Sequence, residues 1–292
     1  MENTSGYRTP ASISPTGHYT GYIWARHGLS HPALVTHTGR ILFQLFRPIV
    51  WLAGATGAPR ADSFLLTRHR LIDLRLAEAI ESGRVAQVIE IAAGLAARGW
   101  RMKQRFGDRV TYIEADLPEM AQAKREALAR IGSLAAGHHI VDIDALQESG
   151  PGSLAAVAAG LDRREGVAII TEGLLNYFSL DNVRSMWRHF ARTLAEFERG
   201  YYWADLYLSS DLAGPGVSPF LKLLSAFVRG RVHLHFATAD EVHAELEADG
   251  FPYARLLEPG EFAERLSGIP HGLAGYVKVL EARTHAGEQT SG

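Results

Sequence analysis

The sequence has no cysteine, little net charge and no long uninterrupted apolar run. The absence of cysteine among 292 residues excludes disulfides, thiolate metal sites and a cysteine nucleophile. With a net charge of -2, no nucleic-acid partner is expected. The most apolar stretch, Ile41 to Ala58, is interrupted by Arg47 and Pro48, so stable membrane insertion is not expected either. A lid, a core helix or a dimer helix is the favoured interpretation, which leaves a homodimer open.

Hydrophobic residues make up 47% of the chain and charged residues 21%, a composition typical of a globular protein. The start of the chain is polar and turn-rich rather than a secretory signal, so a cytoplasmic location is expected. We expect an N-terminal arm and helical cap over residues 1–60, one ligand-binding domain over residues 61–284, and a disordered tail over residues 285–292.

The segment Val85 to Pro118 predicts a strand, a turn, a helix and a second strand. Val85 to Ile91 is a short apolar run of the kind that is buried on both faces of a parallel sheet. The turn Ala92-Ala93-Gly94 has almost no side-chain bulk, so a ligand can approach its backbone. Asp116 follows the second strand, where a nucleotide-binding βαβ unit places an acid on the ribose hydroxyls.

Further strands are predicted along the chain, each of the first five being followed by a helix or a loop. Five βα-type strands and a terminal strand pair predict a doubly wound sheet with an antiparallel edge. The predicted strands are Val85–Ile91, Val110–Glu114, His138–Val141, Val167–Thr171, Tyr201–Leu206, Tyr253–Leu257 and Gly275–Ala282. Helices are predicted over Ala33–Leu52 (one or two, with Pro48 as a kink or break), Ala61–Ser82, Pro118–Arg130, Ser153–Leu161, Leu180–Arg199, Pro219–Val228 (a mobile lid), Thr238–Asp249 and Gly260–Leu266.

Acidic residues lie near the ends of successive predicted strands, namely Glu90, Asp116, Asp144 and Glu172. In open α/β sheets ligands bind at the carboxyl edge of the strands. The chain has no G-x-x-x-x-G-K-[ST] motif, and its turn lacks the full glycine pattern that suits a pyrophosphate. A ligand with a ribose, an adenine and an amino-acid tail but no phosphate fits these acids better. That ligand is S-adenosylmethionine.

Three motifs, VIEIAAGLAARG, YIEADLPEM and TEGLLNYF, occur in this order between Leu65 and Tyr207. Together they resemble the leucine carboxyl methyltransferase-like family, which includes protein phosphatase carboxyl methyltransferases and polyketide carboxyl O-methyltransferases. The resemblance implies a class I methyltransferase fold, which is α/β and Rossmann-like. Its seven-stranded sheet has an antiparallel edge strand, and an N-terminal helical cap is added to it.

The resemblance also implies roles for residues that match the motifs. Asp116, with Leu117 after it, corresponds to the acid that binds the ribose hydroxyls. Asp144 and Ala145 are similar to the pair that reads the adenine. Glu172 corresponds to the acid beside the methionine portion of the cofactor.

Four more residues complete the implied cofactor site. Arg68 looks like the arginine that pairs with the methionine carboxylate. Gly94 and the backbone of Ala92 fit the turn under the cofactor, and Glu90 is a supporting acid beneath that turn. The family's Gly-Ala-Gly is Ala92-Ala93-Gly94 here, a sterically small change. Its following Asp-Thr-Arg has become Ala96-Ala97-Arg98, which removes an acid and predicts a different network around the cofactor.

The methyl acceptor is harder to read from the sequence. Candidate substrate residues are Tyr22, Arg26 and His27 in the segment Gly17 to His31, whose aromatics either close over a ligand or anchor the arm, together with Tyr177 and Tyr207. A carboxylate acceptor needs no general base, whereas a hydroxyl acceptor needs one. His27, His233, His235 and His271 are candidates for that base, and none is assigned.

The sequence therefore predicts an S-adenosylmethionine-dependent O-methyltransferase acting on a small-molecule carboxylate. A hydroxyl or a protein C-terminal carboxyl group is the alternative acceptor. A non-catalytic cofactor-binding module and a nicotinamide-dependent reductase are the alternatives of another class. No metal site is predicted, because His233 and His235 lie two residues apart without an evident third ligand.

Overall fold

The computed structural model describes residues 15–55, 61–213, 233–266 and 276–285, with the backbone alone for residues 49–55 and 61–62. The predicted lid Pro219–Val228, the candidate base His271 and the tail after residue 285 lie outside the described residues.

A single seven-stranded sheet organises the described residues, with strand order β3-β2-β1-β4-β5-β7-β6. Strands β1 to β5 are parallel to one another, and β7 runs antiparallel between β5 and β6. The predicted doubly wound sheet is confirmed, and its antiparallel strand lies one position in from the β6 edge. The strands are β1 (Gln87–Ile91), β2 (Thr111–Asp116), β3 (His138–Asp142), β4 (Val167–Thr171), β5 (Gly200–Leu206), β6 (Tyr253–Leu257) and β7 (Lys278–Arg283).

Eight α-helices surround this sheet in the described part of the chain. They are α1 (Pro15–Arg26), α2 (His37–Ala55), α3 (Ala61–Glu81), α4 (Arg98–Phe106), α5 (Pro118–Ala129), α6 (Leu154–Ala158), α7 (Leu180–Leu194) and α8 (Ala239–Ala248). None of the described helices is long and apolar enough to cross a bilayer.

The apolar strands β1, β4 and β5 form the centre of the sheet, where every residue is buried. Such continuous apolar runs need a helical layer on both faces. Helices α3 and α4 pack on the face that carries Val88 and Tyr112. The opposite face packs against α7 and α8 through residues such as Trp187 and Leu246. The core therefore has two layers, as a doubly wound fold requires.

The segment Gly17 to His31, to which no secondary structure was assigned from the sequence, is largely helix α1. Its glycines permit close packing: a Cβ at Gly21 would lie 3.1 Å from the Leu95 side chain, and one at Gly17 would lie 3.0 Å from that of Met120. Trp24 is buried and stacks on His69 of α3, with ring centroids 4.2 Å apart. Helix α1 therefore lies directly against the residues that follow β1.

Three predicted helices differ from the structure. The chain forms a single helix α2 that continues through Pro48 to Ala55, so Pro48 does not break it. Helix α7 ends at Leu194 instead of Arg199, because the chain then turns to begin β5 at Gly200. The predicted helix Gly260–Leu266 is a short 3-10 segment, Pro259–Phe262, held in its tight turn by Pro259.

Candidate functional site

The chain order of the sheet reverses at β1, which lies between β2 and β4. Because a doubly wound sheet opens a crevice at such a reversal, the carboxyl ends of these strands are where a ligand is expected. The turn after β1, Asp116 at the end of β2, Glu172 after β4 and Asp205 in β5 lie at this edge. The parallel register therefore brings together residues that are far apart in sequence.

The turn after β1 is held in an unusual backbone conformation. Ala92 has φ 56° and Gly94 has φ 50°, so both occupy the left-handed region. The N–H of Gly94 donates to Oδ2 of Asp116 at 2.7 Å, and the N–H of Leu117 donates to Oδ1 at 2.8 Å. None of the described residues would lie within 4 Å of a Cβ added at Gly94. The turn therefore holds the Asp116 carboxylate next to a position that the described residues leave unfilled.

The Asp116 carboxylate is in an environment that disfavours its charge. Burial raises its pKa to about 6, against the two backbone N–H donors of Gly94 and Leu117, which lower it. A carboxylate that is kept partly desolvated in this way gains from a ligand that donates hydrogen bonds to it. Vicinal hydroxyl groups are such donors.

Arg68 of α3 connects the residues that follow β4 and β5. Its Nε donates to Oε1 of Glu172 at 3.1 Å, and its Nη1 donates to Oδ2 of Asp205 at 2.8 Å. Nη1 also lies 3.3 Å from the Tyr207 hydroxyl. Among the residues that the structure describes, none accepts a hydrogen bond from Nη2 of Arg68. A ligand carboxylate can therefore take this remaining donor.

Gly173 explains why the guanidinium of Arg68 can lie so close to the chain. The residue has φ 68°, and a Cβ there would lie 2.9 Å from Nη2 of Arg68. Its N–H donates to Oδ1 of Asp205 at 2.6 Å. A larger residue at position 173 would therefore displace the arginine as well as strain the backbone.

A second arginine, Arg98 at the start of α4, is completely buried beneath Glu172. Its guanidinium contacts the carboxylates of Glu172 and Glu90. Its Nε donates to Oδ1 of Asp73 at 2.6 Å, and the Tyr112 hydroxyl donates to Oε2 of Glu90 at 2.7 Å. Arg98 therefore connects α3, β1 and the end of β4 in one buried ionic network.

His69 completes this network. Its Nδ1 lies 2.8 Å from Oε2 of Glu172, and its Nε2 lies 2.8 Å from Nη2 of Arg101. Nδ1 also lies 2.8 Å from Nη2 of Arg98, and Nε2 lies 3.7 Å from Oδ2 of Asp73. Four carboxylates and three guanidinium groups therefore meet around His69; the groups are Asp73, Glu90, Glu172, Asp205 and Arg68, Arg98, Arg101.

The pKa values in the network follow from this pairing. Burial would raise the pKa of Glu172, but His69, Arg98 and Arg68 outweigh it and hold the pKa well below its ordinary value. Asp73 has its pKa lowered to about 2, because His69 and two arginines overcome the effect of its burial. Both acids are therefore carboxylates at neutral pH.

A separate buried ion pair lies under the turn. Lys124 of α5 contacts the carboxylate of Glu114 on β2, and both side chains are almost completely buried. Its Nζ also lies 3.3 Å from the carbonyl oxygen of Ala93. Nε2 of His138 lies 2.7 Å from Oε1 of the same Glu114. Burial and the neighbouring Lys124 lower the pKa of His138 to about 4, so its ring is neutral and donates to Glu114.

The predicted cofactor residues thus fall into four places. The N–H groups of Gly94 and Leu117 donate to Asp116, whereas Arg68 and Glu172 form the second group. Asp144 is on the exposed loop after β3, where its Oδ1 accepts the N–H of Leu146 at 2.9 Å, and Ala145 is next to it. Glu90 is buried behind Arg98 rather than open to the crevice.

The predicted substrate residues are less closely grouped. Tyr22 and Arg26 both contact Phe43 of α2, with 5.0 Å between the rings of Tyr22 and Phe43 and 4.5 Å from Cζ of Arg26 to the Phe43 ring. His27 is exposed at the end of α1. Tyr177 is 39% exposed after β4, and Tyr207 is buried against Arg68. Only the two tyrosines after β4 and β5 lie at the carboxyl edge of the sheet.

His233 and His235 lie beside the segment that follows β4. The N–H of His233 donates to the carbonyl of Asn176 at 3.0 Å, and Nε2 of His235 lies 3.2 Å from the carbonyl oxygen of Leu175. The two imidazole rings stack with centroids 5.7 Å apart. In the part of the chain that the structure describes, no group of three metal-ligating side chains occurs.

Several residues of the network were missed from the sequence. Asp205 lies near the end of the predicted strand Tyr201–Leu206, close to the candidate substrate residue Tyr207. This position is the signal in the sequence that could have identified it. His69 and Asp73 carry no local signal, because a histidine and an acid on an amphipathic helix usually face solvent. In the sequence, Arg98 was noted only as the last residue of the altered motif Ala96-Ala97-Arg98. The elements that bury it come together only in the three-dimensional structure.

Comparison with known proteins finds a family that part of this chain resembles. Residues 50–191 match the model of the leucine carboxyl methyltransferase family, so the resemblance carried by the three motifs is confirmed over these residues. A protein of Mycobacterium marinum that carries the name of an S-adenosyl-L-methionine-dependent methyltransferase is 40% identical over 124 residues, which are 42% of this chain and 38% of that protein. A protein of Frankia alni with the same name is 34% identical over 145 residues, 46% of this chain and 49% of that protein. The chain thus matches less than half the length of either relative.

Two solved structures match nearly the whole chain. One is a methyltransferase by name from Thermobifida fusca, with a TM-score of 0.62 and 14% identity over 97% of this chain and all of that one (100%). The other is a DUF574 family protein from Streptomyces avermitilis, with a TM-score of 0.63 and 12% identity over 94% of this chain and 98% of that one. The predicted class I methyltransferase fold is confirmed.

Proposed function

We propose, from the family that residues 50–191 match, that this protein is an S-adenosylmethionine-dependent O-methyltransferase whose acceptor is a small-molecule carboxylate. The observation that carries the proposal is the pairing of the Gly94 N–H with the Asp116 carboxylate next to a position that the described residues leave unfilled. This arrangement offers hydrogen-bond acceptors to a ribose at the carboxyl edge of the sheet, where class I folds bind nucleosides.

The residues present fit S-adenosylmethionine. Asp116 would accept the ribose hydroxyls, and the adenine would lie toward Asp144. The free Nη2 of Arg68 would bind the methionine carboxylate, while Glu172 holds that arginine in place. A nicotinamide dinucleotide would instead bring a pyrophosphate close to the carboxylates of Asp116 and Glu172.

When bound, the cofactor supplies an electrophilic methyl group on a positively charged sulfur. The task of the protein is to align an acceptor oxygen with that methyl group and to exclude water. Helix α1 contributes to this exclusion, because Gly21 packs against Leu95 and Trp24 against His69 beside the turn. An acceptor carboxylate is already ionised at neutral pH, so its oxygen forms the new bond without transferring a proton.

A carboxylate acceptor is favoured over a hydroxyl acceptor, which needs a base. His69, the buried histidine of the network, is not available as that base because its two ring nitrogens contact Glu172 and Arg101. A hydroxyl acceptor would need His27, His233, His235 or His271 as a base, and the Leu175 carbonyl already contacts one nitrogen of His235. Carboxyl methylation is thus the reaction that demands least from the described side chains.

Isothermal titration of the protein with S-adenosylmethionine and, in parallel, with NADH and NADPH tests the cofactor. We expect binding of the sulfonium compound alone. Binding of a dinucleotide in its place would support the reductase alternative. Binding of S-adenosylmethionine without methyl transfer to any acceptor tested would favour the non-catalytic module.

The acceptor is tested with S-adenosylmethionine labelled in the methyl group and a panel of carboxylic acids and phenols. A methyl ester releases labelled methanol on treatment with alkali, whereas a methyl ether does not. We therefore expect alkali-labile label from the carboxylic acids. Alkali-stable label from the phenols would show that the acceptor is a hydroxyl. Asp116→Ala provides the matched control, because it should reduce transfer to either class.

A further inference from the structure

The N-terminal region has a charge composition unlike that of the rest of the chain. Residues 3–61 contain no aspartate and no glutamate, and residues 1–60 contain five arginines and one acid, Glu2. With 30 basic and 32 acidic residues in the whole chain, the remaining residues hold 25 basic and 31 acidic ones and carry a net charge of -6. Such an asymmetry within one chain is typical of proteins whose basic part meets an anionic surface.

Helix α2 carries much of this charge on its outer side. His37, Arg40 and Arg47 are exposed, and no carboxylate lies on α1 or α2 to pair with them. Because charges on a helix are normally balanced by acids three or four residues away, this helix lacks the usual intrahelical ion pairs. The positive charge is thus available to an external partner.

The same exposed side of α2 carries large apolar residues. Ile41 is 46% exposed and Leu45 is 65% exposed, and their spacing of four residues places them next to each other on the helix surface. Gln44 and Pro48 are exposed beside them. The inner side of α2 is used differently, since Phe43 is buried and contacts Tyr19 and Tyr22 of α1. Helix α2 is therefore apolar on two sides, and the described residues cover only the inner one.

We propose that the outer face of α2, formed by His37, Arg40, Ile41, Leu45 and Arg47, docks on an anionic lipid surface. A helix that lies in a membrane interface combines apolar residues with flanking cations, which attract acidic lipid head groups. Ile41 and Leu45 enter the boundary between head groups and acyl chains, and Arg40 and Arg47, seven residues apart, lie together along one side of them. The helix lies on the membrane and does not span it.

Charge decides against two other occupants of this face. A second copy of the chain joined through a two-fold axis would bring Arg40 and Arg47 against their own counterparts, with no carboxylate on α2 to compensate. A nucleic acid would satisfy the arginines but would leave Ile41 and Leu45 against a charged backbone, and the acidic remainder of the chain would repel it. An anionic lipid surface satisfies both the charges and the apolar side chains.

Flotation of the whole protein with vesicles measures this interaction. Vesicles of phosphatidylglycerol mixed with phosphatidylcholine are compared with vesicles of phosphatidylcholine alone, at low and at high salt. We expect binding to the anionic vesicles that salt weakens, and about tenfold or more weaker binding to the neutral ones, because each arginine near an acidic surface contributes appreciably. Equal binding to both compositions, or no binding to either, overturns the proposal.

Variants assign the interaction to this face. Arg40→Gln with Arg47→Gln, and separately Ile41→Ser with Leu45→Ser, should each weaken binding to the anionic vesicles roughly tenfold. Arg164→Gln and Leu134→Ser, which change an exposed arginine and an exposed leucine elsewhere, are the matched controls and should leave binding unchanged. Equal effects of the control variants would overturn the assignment.

Two measurements distinguish the other occupants. If heparin competes fully and the serine variants bind as well as the wild type, the face binds polyanions in general and the lipid proposal is wrong. If sedimentation shows a dimer that the serine variants dissociate, the face is a contact between copies and the proposal is wrong as well. Circular dichroism of each variant confirms that the fold is retained, since all four side chains on α2 are exposed.

Discussion

Arg68 and Asp205, 137 residues apart in the sequence, are joined by a hydrogen bond of 2.8 Å from Nη1 to Oδ2. Asp205 is buried, and its other oxygen accepts the N–H of Gly173 at 2.6 Å. One carboxylate thus fixes both the arginine that is proposed to bind the cofactor and the backbone that follows Glu172. The orientation of Arg68 is therefore set by the end of β5 as well as by the end of β4.

Asp205→Asn should destabilise the protein and weaken S-adenosylmethionine binding together. Loss of one partner of a buried ion pair costs about 3–5 kcal/mol when the other charge is left unpaired. Because the amide keeps one acceptor and Glu172 still contacts Arg68, we expect about 1–3 kcal/mol in urea denaturation. Asp162→Asn, at an exposed carboxylate paired with Arg164, is the control and should change stability little. An Asp205→Asn protein with wild-type stability and affinity would show that the pair does not position Arg68.

Asp116→Ala should weaken S-adenosylmethionine binding by roughly 1–3 kcal/mol, because the buried ribose hydroxyls lose a charged partner. Isothermal titration of the folded variant measures the loss. An unchanged affinity would contradict the ribose assignment, whatever the outcome for the methyl acceptor.

The affinity for S-adenosylmethionine should also depend on pH through Asp116. Since burial raises the pKa of Asp116 to about 6, the carboxylate is ionised at pH 8 and mostly protonated at pH 5. Ribose hydroxyls are bound by the ionised form, so binding weakens as the pH falls through 6, by about tenfold at pH 5. Comparison with Asp116→Asn at each pH removes the titration of the ligand itself. A wild-type profile parallel to that of the asparagine variant would assign the pH dependence to another group.

The raised pKa of Asp116 has the opposite effect on the pH dependence of stability in the ligand-free protein. The folded pKa of Asp116 lies above that of an unfolded aspartate, so the folded state binds the proton more tightly. Asp116 therefore contributes stability below its unfolded pKa, and this contribution is lost as the pH rises through 6. Lower pH therefore increases the contribution of Asp116 to the stability of the folded protein but weakens the binding of the cofactor.

Much of the fold was predictable from local sequence, because buried parallel strands are short apolar runs that end at acids or small residues. Val167–Thr171 and Tyr253–Leu257 were predicted with their observed boundaries. The order of the last two strands was not readable, since only three-dimensional packing places β7 between β5 and β6. Helix α1 was missed because Gly17 and Gly21 lower helix propensity, whereas in the structure they permit close packing against Met120 and Leu95.

The site residues also divide into those that could be predicted from local sequence and those that depend on three-dimensional packing. Asp116 and Glu172 follow strands and could be read from their position, and the structure places both at the carboxyl edge. Arg98 could not, because its burial depends on contacts with Asp73, Glu90 and Glu172 that are up to 74 residues away. A charged side chain of this kind looks like a surface residue in the sequence, and only the surrounding acids explain why it is buried.

Lys124→Met should destabilise the protein strongly. The substitution leaves the buried Glu114 carboxylate with His138 as its neutral partner and removes the contact with the Ala93 carbonyl. We expect a loss of about 3–5 kcal/mol in the free energy of unfolding, measured by urea denaturation. The double variant Lys124→Met with Glu114→Gln should recover part of this loss, because no buried charge is then left unpaired. If the double variant is less stable than the sum of the single effects, the lysine and the glutamate do not compensate each other.

Ala92→Gly should stabilise the protein slightly or leave its stability unchanged, unlike most substitutions by glycine. Ala92 has φ 56°, where a Cβ costs about 1–2 kcal/mol in steric strain. Glycine removes this strain but gains about 0.5–1 kcal/mol of entropy in the unfolded chain, so the net gain in stability is at most about 1.5 kcal/mol. Having alanine at position 92 in place of the family's glycine thus matters through the strain of the backbone rather than through the volume of the side chain.

Ala93→Gly is the matched control for Ala92, because Ala93 is the next residue of the same turn and does not have a positive φ. Ala93 is also buried, so glycine there removes a packed methyl group and adds unfolded-state entropy. We expect this variant to lose about 1–2 kcal/mol in urea denaturation. Equal losses at both positions would mean that Ala92 is not strained in solution. A difference of the expected sign would show that the turn holds Ala92 in a costly conformation, because the hydrogen bond from Gly94 to Asp116 requires the chain to bend there.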